Sequence, residues 1–151
     1  VEAVAPAFYQ LTEGVALARH GETWEWVTGE QPARPGEKLM LYAGGLGATR
    51  PPLGFRVMPR EEAEIAAREQ FAVTLNGEPV AAELIEYVGV MPNFPGIYEI
   101  RLQLPENAPE DPEIRIVIGE TLSPEGIGLP LRKREAESPV QPEEAPERSN
   151  P

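Results

Sequence analysis

Apolar and polar positions alternate most cleanly over residues 97–104. Tyr98, Ile100, Leu102 and Leu104 fall on one face, and Glu99, Arg101 and Gln103 on the other. A period of two is the signature of a strand with one buried face. Ile114, Ile116 and Ile118 repeat it after the proline-rich bend at 105–112. Residues 38–43 are apolar almost without interruption, which predicts an inner strand covered on both sides. Two short apolar runs, 4–11 and 15–18, are split by Thr12-Glu13-Gly14. Residues 71–75 and 80–88 flank Asn76-Gly77, a dipeptide suited to the positive-φ positions of a type I′ hairpin turn. Residues 128–132 predict a last strand. Residues 60–70, with Glu61, Glu62, Ala63, Glu64, Ala66 and Ala67 behind Pro59, predict one short helix in a connection.

Many short strands without long helices between them point to an all-β fold, an antiparallel sandwich or barrel. The 18 prolines and 14 glycines follow no collagen period and punctuate these strands. The chain of 151 residues is long enough for one domain with a real core. We place that domain at 1–134, with residues 1–10 as an extended N-terminal strand. Residues 135–151 have almost nothing to bury and read as an acidic, proline-rich tail. A chain that opens on Val1 instead of Met is expected to be a processed form or a fragment.

The formal net charge of −12 disfavours binding to nucleic acid or anionic membranes and suits solubility outside cells. With no cysteine, disulfides, thiolate catalysis and zinc–thiolate sites are excluded. No segment approaches the apolar length of a membrane span.

Several blocks carry a family resemblance: Pro6-Ala7-Phe8, Pro32-Ala33-Arg34-Pro35-Gly36-Glu37 and Leu41-Tyr42-Ala43-Gly44-Gly45-Leu46-Gly47. Leu75-Asn76-Gly77, Val88-Gly89, Pro95-Gly96-Ile97-Tyr98, Leu104-Pro105 and Gly126-Ile127-Gly128-Leu129-Pro130 add to it. Together they resemble the C-terminal immunoglobulin-like β-sandwich domain of unknown function that recurs in large secreted proteins of soil bacteria of the acidobacterial type. The resemblance spans residues 5–131. It implies an antiparallel immunoglobulin-like sandwich, export to the cell surface or beyond, and no assigned catalytic residues.

Candidate chemistry is sparse. Gly44-Gly45-Leu46-Gly47 is followed by Pro51 and Pro52, so no helix N-terminus can receive a phosphate there. His20, the only histidine, reads as an exposed turn residue before Gly21. Asn107, Glu110, Asp111 and Glu113 form the best calcium-type cluster, but no cofactor or metal is assigned. No nucleophile, base and orienter converge, so no enzyme is expected. Trp24 and Trp26 project to one side of a strand candidate and, with Tyr9 and Phe94, could stack on sugars; the other reading buries them in the core or under the tail.

The function expected is therefore a non-catalytic, exported interaction subunit. The leading expectation is self-assembly into a filament or surface layer, with Val1, Val4 and Phe8 as strand donor and Val140 in the tail as a clasp. The alternatives are a carbohydrate-binding or adhesion module using Trp24 and Trp26, and an accessory domain of a larger secreted protein.

Overall fold

The computed structural model describes residues 4–47, 49–50, 64–92 and 94–133. Val1, Val140, the tail and the first four residues of the expected helix, 60–63, lie outside them. The described chain is an all-β sandwich of antiparallel sheets. Its strands are β1 (Ala7–Phe8), β2 (Gln10–Thr12), β3 (Val15–Ala16), β4 (Ala18–His20), β5 (Lys38–Gly44), β6 (Thr49–Arg50), β7 (Glu64–Ile65), β8 (Phe71–Leu75), β9 (Glu78–Pro79), β10 (Ile85–Met91), β11 (Phe94–Gln103), β12 (Ile114–Ile118) and β13 (Thr121–Leu122). The larger sheet runs β1-β5-β11-β10-β7-β6, with β4 also on β5. The smaller runs β13-β12-β8-β9, and β2-β3 is a separate hairpin.

The core lies between the sheets. Leu39, Leu41, Val88, Ile100 and Leu102 come from the larger one; Phe71, Val73, Leu75, Ile114, Ile116 and Ile118 come from the smaller. β5 is the inner strand its apolar run predicts, with Leu39 to Ala43 all buried. β12 buries alternate residues as read, and β11 does so from Ile100 onward; Glu99, on its polar face, is buried as well, while Tyr98 is half-buried. The Asn76-Gly77 turn has φ of 52° and 85°, the type I′ signature. Its second arm is only two residues long. The chain then crosses through a 3-10 turn at Ala82–Leu84 and enters the other sheet as β10.

Within the described part of the expected helix, residues 64–70, the outcome differs from the reading. Glu64 pairs with Gly89 and Arg50, Ile65 is buried in the core, and only a 3-10 turn at Arg68–Gln70 is helical. Pairing with the edge of β10 and burial of Ile65 override helix propensity. The last strand is a ribbon instead. Gly128 bridges to Val15 in parallel and to Glu113 in antiparallel, and Leu131 bridges to Ala33 in parallel. The carboxylates of the calcium-type cluster hold this ribbon: Glu113 accepts from Gly126 N at 2.8 Å, Asp111 from Leu131 N at 3.2 Å, and Glu110 from Lys133 N at 3.0 Å.

Two expected partner-binding residues are used within their own chain. Phe8 is a core residue, and Val4 packs against the core. Their segment is stitched to β5 and the loop after it through Ala5 N to Gly45 O (2.9 Å) and the pairs Ala7–Gly44 and Phe8–Ala43. Among the described residues, no helix is long and apolar enough to cross a membrane.

Candidate functional site

In antiparallel pairs, directly opposed residues share a face. The register therefore assembles one row across the outer face of the larger sheet. Trp26 opposes Arg19, Arg19 opposes Met40, Met40 opposes Arg101, and Arg101 opposes Tyr87. The two arginines sit over the two terminal rings. The Arg19 guanidinium lies 4.0 Å from the Trp26 centroid, and that of Arg101 4.5 Å from the Tyr87 centroid. Both distances fall within cation–π range. Arg101 also bonds the buried Glu99 carboxylate at 3.1 Å.

Arg19 organises the hairpin that carries both tryptophans. Val27 N donates to Ala18 O and His20 N to Glu25 O, so residues 25–27 lie along β4. Gly21 to Trp24 make the connecting loop, and Arg19 Nη1 donates to Trp24 O at 2.7 Å. Trp24 itself has φ of 67°. A bulky residue in the left-handed region is a strained outlier. This corrects the strand reading: Trp24 is a loop residue, and only Trp26 sits at a paired position.

Neither tryptophan is buried. Trp24 is 58% exposed and Trp26 38%, which overturns the alternative that they fill the core. Tyr9 is 42% exposed. Following Phe8 in the alternation, it lies on the outer face, and its hydroxyl reaches Gly96 O at 3.2 Å across the bare Gly44. Phe94, also exposed, stands seven residues along β11 from Arg101, roughly 23 Å at the rise of a strand. The four aromatics therefore split: the hairpin unites Trp24 and Trp26, Tyr9 shares their sheet, and Phe94 is remote.

Beside the row opens a cleft of about 620 Å3, lined by Met40 and Arg101 of the row, by Gly21, Glu22 and Thr23 of the tryptophan loop, and by Lys38 and Glu86 opposite. Lys38 Nζ and Glu86 Oε2 pair at 3.0 Å. His20 also lines it, and it is no free turn residue. Its Nδ1 contacts the Glu37 carboxylate, and its Nε2 donates to Gln31 O at 2.8 Å. Glu37 in turn accepts from Arg34 N at 2.8 Å. The Pro35-Gly36-Glu37 block thus fastens the 31–37 loop onto β4 and shapes the cleft wall. Among the described residues, no three His, Asp or Glu side chains gather as a metal set.

Next to the row, Tyr42 opposes Glu99. The Tyr42 hydroxyl is buried and makes no well-formed hydrogen bond among the described residues, the Arg19 side chain approaching it only as a weak donor. Burial, then the Glu99 carboxylate, push its pKa above 10, outweighing the pull of nearby Arg19 and Arg101. A buried hydroxyl that lacks a well-formed partner costs about 1–3 kcal/mol, and the weak approach of Arg19 offsets part of it, so Tyr42→Phe is expected to stabilise the fold by at most about 1 kcal/mol at neutral pH in urea denaturation. The pH dependence has a definite sign. Above pH 10 an unfolded tyrosine releases a proton that folded Tyr42 retains. Stability from this group is complete below pH 10 and lost as pH rises through the folded value. The gap between variant and wild type should therefore widen above pH 10; a constant gap would contradict the assignment.

No protein-family model, curated protein or solved structure matches this chain. The site therefore has to be read from its geometry. Sequence reasoning found the tryptophans and missed Arg19, Met40, Tyr87 and Arg101. Arg101 carried a signal as a polar-face position of β11, whereas Arg19 of β4, Met40 of β5 and Tyr87 of β10 carried none, and only cross-strand register lines the four up.

Proposed function

We propose that this protein is a non-catalytic carbohydrate-binding or adhesion module acting outside the cell or at its surface. The observation that carries the reading is the exposed Trp24 and Trp26, held on one hairpin by Arg19 at the side of a cleft. Large exposed aromatics in soluble proteins mark interaction surfaces, and rings with a polar handle suit ligands that are partly apolar and partly wet. A strained backbone under Trp24 supports the same reading, because strain of this kind clusters at ligand-binding segments. The net charge of −12 argues against a phosphate backbone as the ligand.

Polymerisation by terminal strand exchange has less support. Val1 and Val140 lie outside the described residues, and Val4 and Phe8 are engaged within their own chain. Of the described edge strands, β1, β6, β9 and β13 are two residues each and β4 three, with Trp26 bridged to it, and β9 contains Pro79. Short edges with proline are poor templates for a donated strand.

The test uses intrinsic fluorescence. The chain has two tryptophans, and both stand in the proposed site. Titration with soluble oligosaccharides should shift tryptophan emission to the blue and quench it saturably. Emission that stays unmoved across a broad glycan panel would sink the reading.

A further inference from the structure

Resting on that reading, we infer that the ligand is a neutral, hydroxyl-rich oligosaccharide whose chain runs from the tryptophan hairpin into the cleft. Two observations make hairpin and cleft one site. Gly21, Glu22 and Thr23 line the cleft and lead directly into Trp24. The row that begins at Trp26 and Arg19 continues to Met40 and Arg101, which line the cleft as well. A volume of about 620 Å3 is that of a small-molecule site, which typically spans about 300–1,000 Å3.

Charge selects the ligand class. The cleft is lined by three permanent cations, Arg34, Lys38 and Arg101, and by three carboxylates, Glu22, Glu37 and Glu86. Half of this charge is already matched within the protein: Lys38 pairs with Glu86, and Arg101 with Glu99. The Glu37 carboxylate is held by contact with His20 Nδ1. The Arg34 guanidinium donates to Lys133 O at 2.7 Å. An anionic sugar would have to shed water against cations whose donors are already engaged, two of them by carboxylates, beside Glu22 and Glu86 and within a strongly acidic molecule. An amino sugar would bring a cation against Lys38 and Arg101.

Sugar hydroxyls are donors and acceptors at once, and the cleft alternates the two. Lys38 Nζ donates, Glu86 and Glu22 accept, and the Thr23 hydroxyl does both. Met40, mostly buried, adds only a narrow apolar patch to the cleft wall. A neutral ligand leaves every ion pair of the cleft in place.

The experiment is affinity electrophoresis of the full chain through gels carrying neutral polysaccharides (a β-glucan, a xylan, a mannan), a polyuronate, a sulfated dextran, or a chitosan derivative. Each is run at low salt and at 0.5 M NaCl. The companion variant is Lys38→Gln with Glu86→Gln, which removes the cleft's ion pair without changing net charge; both side chains are largely exposed, so the fold should persist. At least one neutral polymer should retard the protein, with affinity changing less than twofold with salt, and the double variant should bind it at least fivefold more weakly. Retardation by charged polymers alone, fading with salt, would overturn the neutral-ligand inference while keeping glycan binding. Neutral binding untouched by the double variant would remove the cleft from the site. Failure of every polymer, with unmoved tryptophan emission, would overturn the functional reading itself.

Discussion

Gly45→Ala is expected to destabilise this protein by roughly 2–5 kcal/mol, the sum of a left-handed-backbone penalty of roughly 1–2 and overpacking of roughly 1–3. Gly45 has φ of 74°, so any side chain there is strained. Its added methyl would also fall onto the Ala5 carbonyl, with Ala5 C only 2.7 Å away. That neighbour is backbone and cannot rotate aside. It belongs to the segment whose Ala5 N donates to Gly45 O and which continues into Phe8 of the core. Relief therefore means peeling the N-terminal strand from β5. Two comparisons separate the causes. Gly77 has φ of 85° and open space, so Gly77→Ala should cost only the backbone part, about 1–2 kcal/mol. Gly29 has no positive φ and no neighbour within 4 Å, so Gly29→Ala should stay within about 0.5 kcal/mol. Urea midpoints that failed to rank Gly45 far above Gly77, and Gly77 above Gly29, would contradict this account.

The second large effect sets binding against stability at one residue. Trp24→Gly should raise stability by about 1 kcal/mol, because glycine adopts the left-handed conformation that strains tryptophan. The same change should weaken glycan binding at least tenfold, because truncating a tryptophan anchor commonly costs about 2 kcal/mol or more. Trp24→Ala with Trp26→Ala should abolish detectable binding and still leave a cooperatively folding protein, since both rings are exposed. Calorimetric melting beside a binding isotherm reads both quantities. A Trp24→Gly protein that melts earlier, or that binds as wild type does, would remove Trp24 from the role assigned to it. Opposed signs are the mark of a residue kept for its ligand and not for its fold.

Much of the fold was legible because one-sided burial writes itself as alternation. β12 could be read residue by residue and β11 in its face assignment, though not in the burial of Glu99, and β5 announced its central place through an unbroken apolar run. Asn76-Gly77 named its turn because few residue pairs adopt two positive φ angles in succession. The misreadings have a common origin in tertiary pairing. Glu64 and Ile65 sit in a helix-favouring stretch, yet the edge of β10 takes them as strand. Trp24-Glu25-Trp26 alternates in text, yet the turn of the chain after His20 places Trp24 in a left-handed loop. The row from Trp26 to Tyr87 draws on five segments, and no single segment encodes how the others slide against it. His20 looked idle for the same reason, since its partners Gln31 and Glu37 arrive from a loop eleven or more residues away.

The ribbon after Gly126 bears on how the molecule meets a pulling force. Ala16 N donates to Gly128 O, and Gly128 N donates to Gly14 O, across a parallel bridge between segments near opposite ends of the described chain. Parallel segments drawn apart by their outer ends slide lengthwise past each other, so tension reaches both bonds together and cannot open them one at a time. The parallel bridge from Leu131 to Ala33, flanked by Ala33 N to Pro130 O and Arg132 N to Ala33 O, places a second pair of bonds further along the same ribbon. A module proposed to grip a surface would, by this arrangement, resist extension along the direction in which its own chain transmits it.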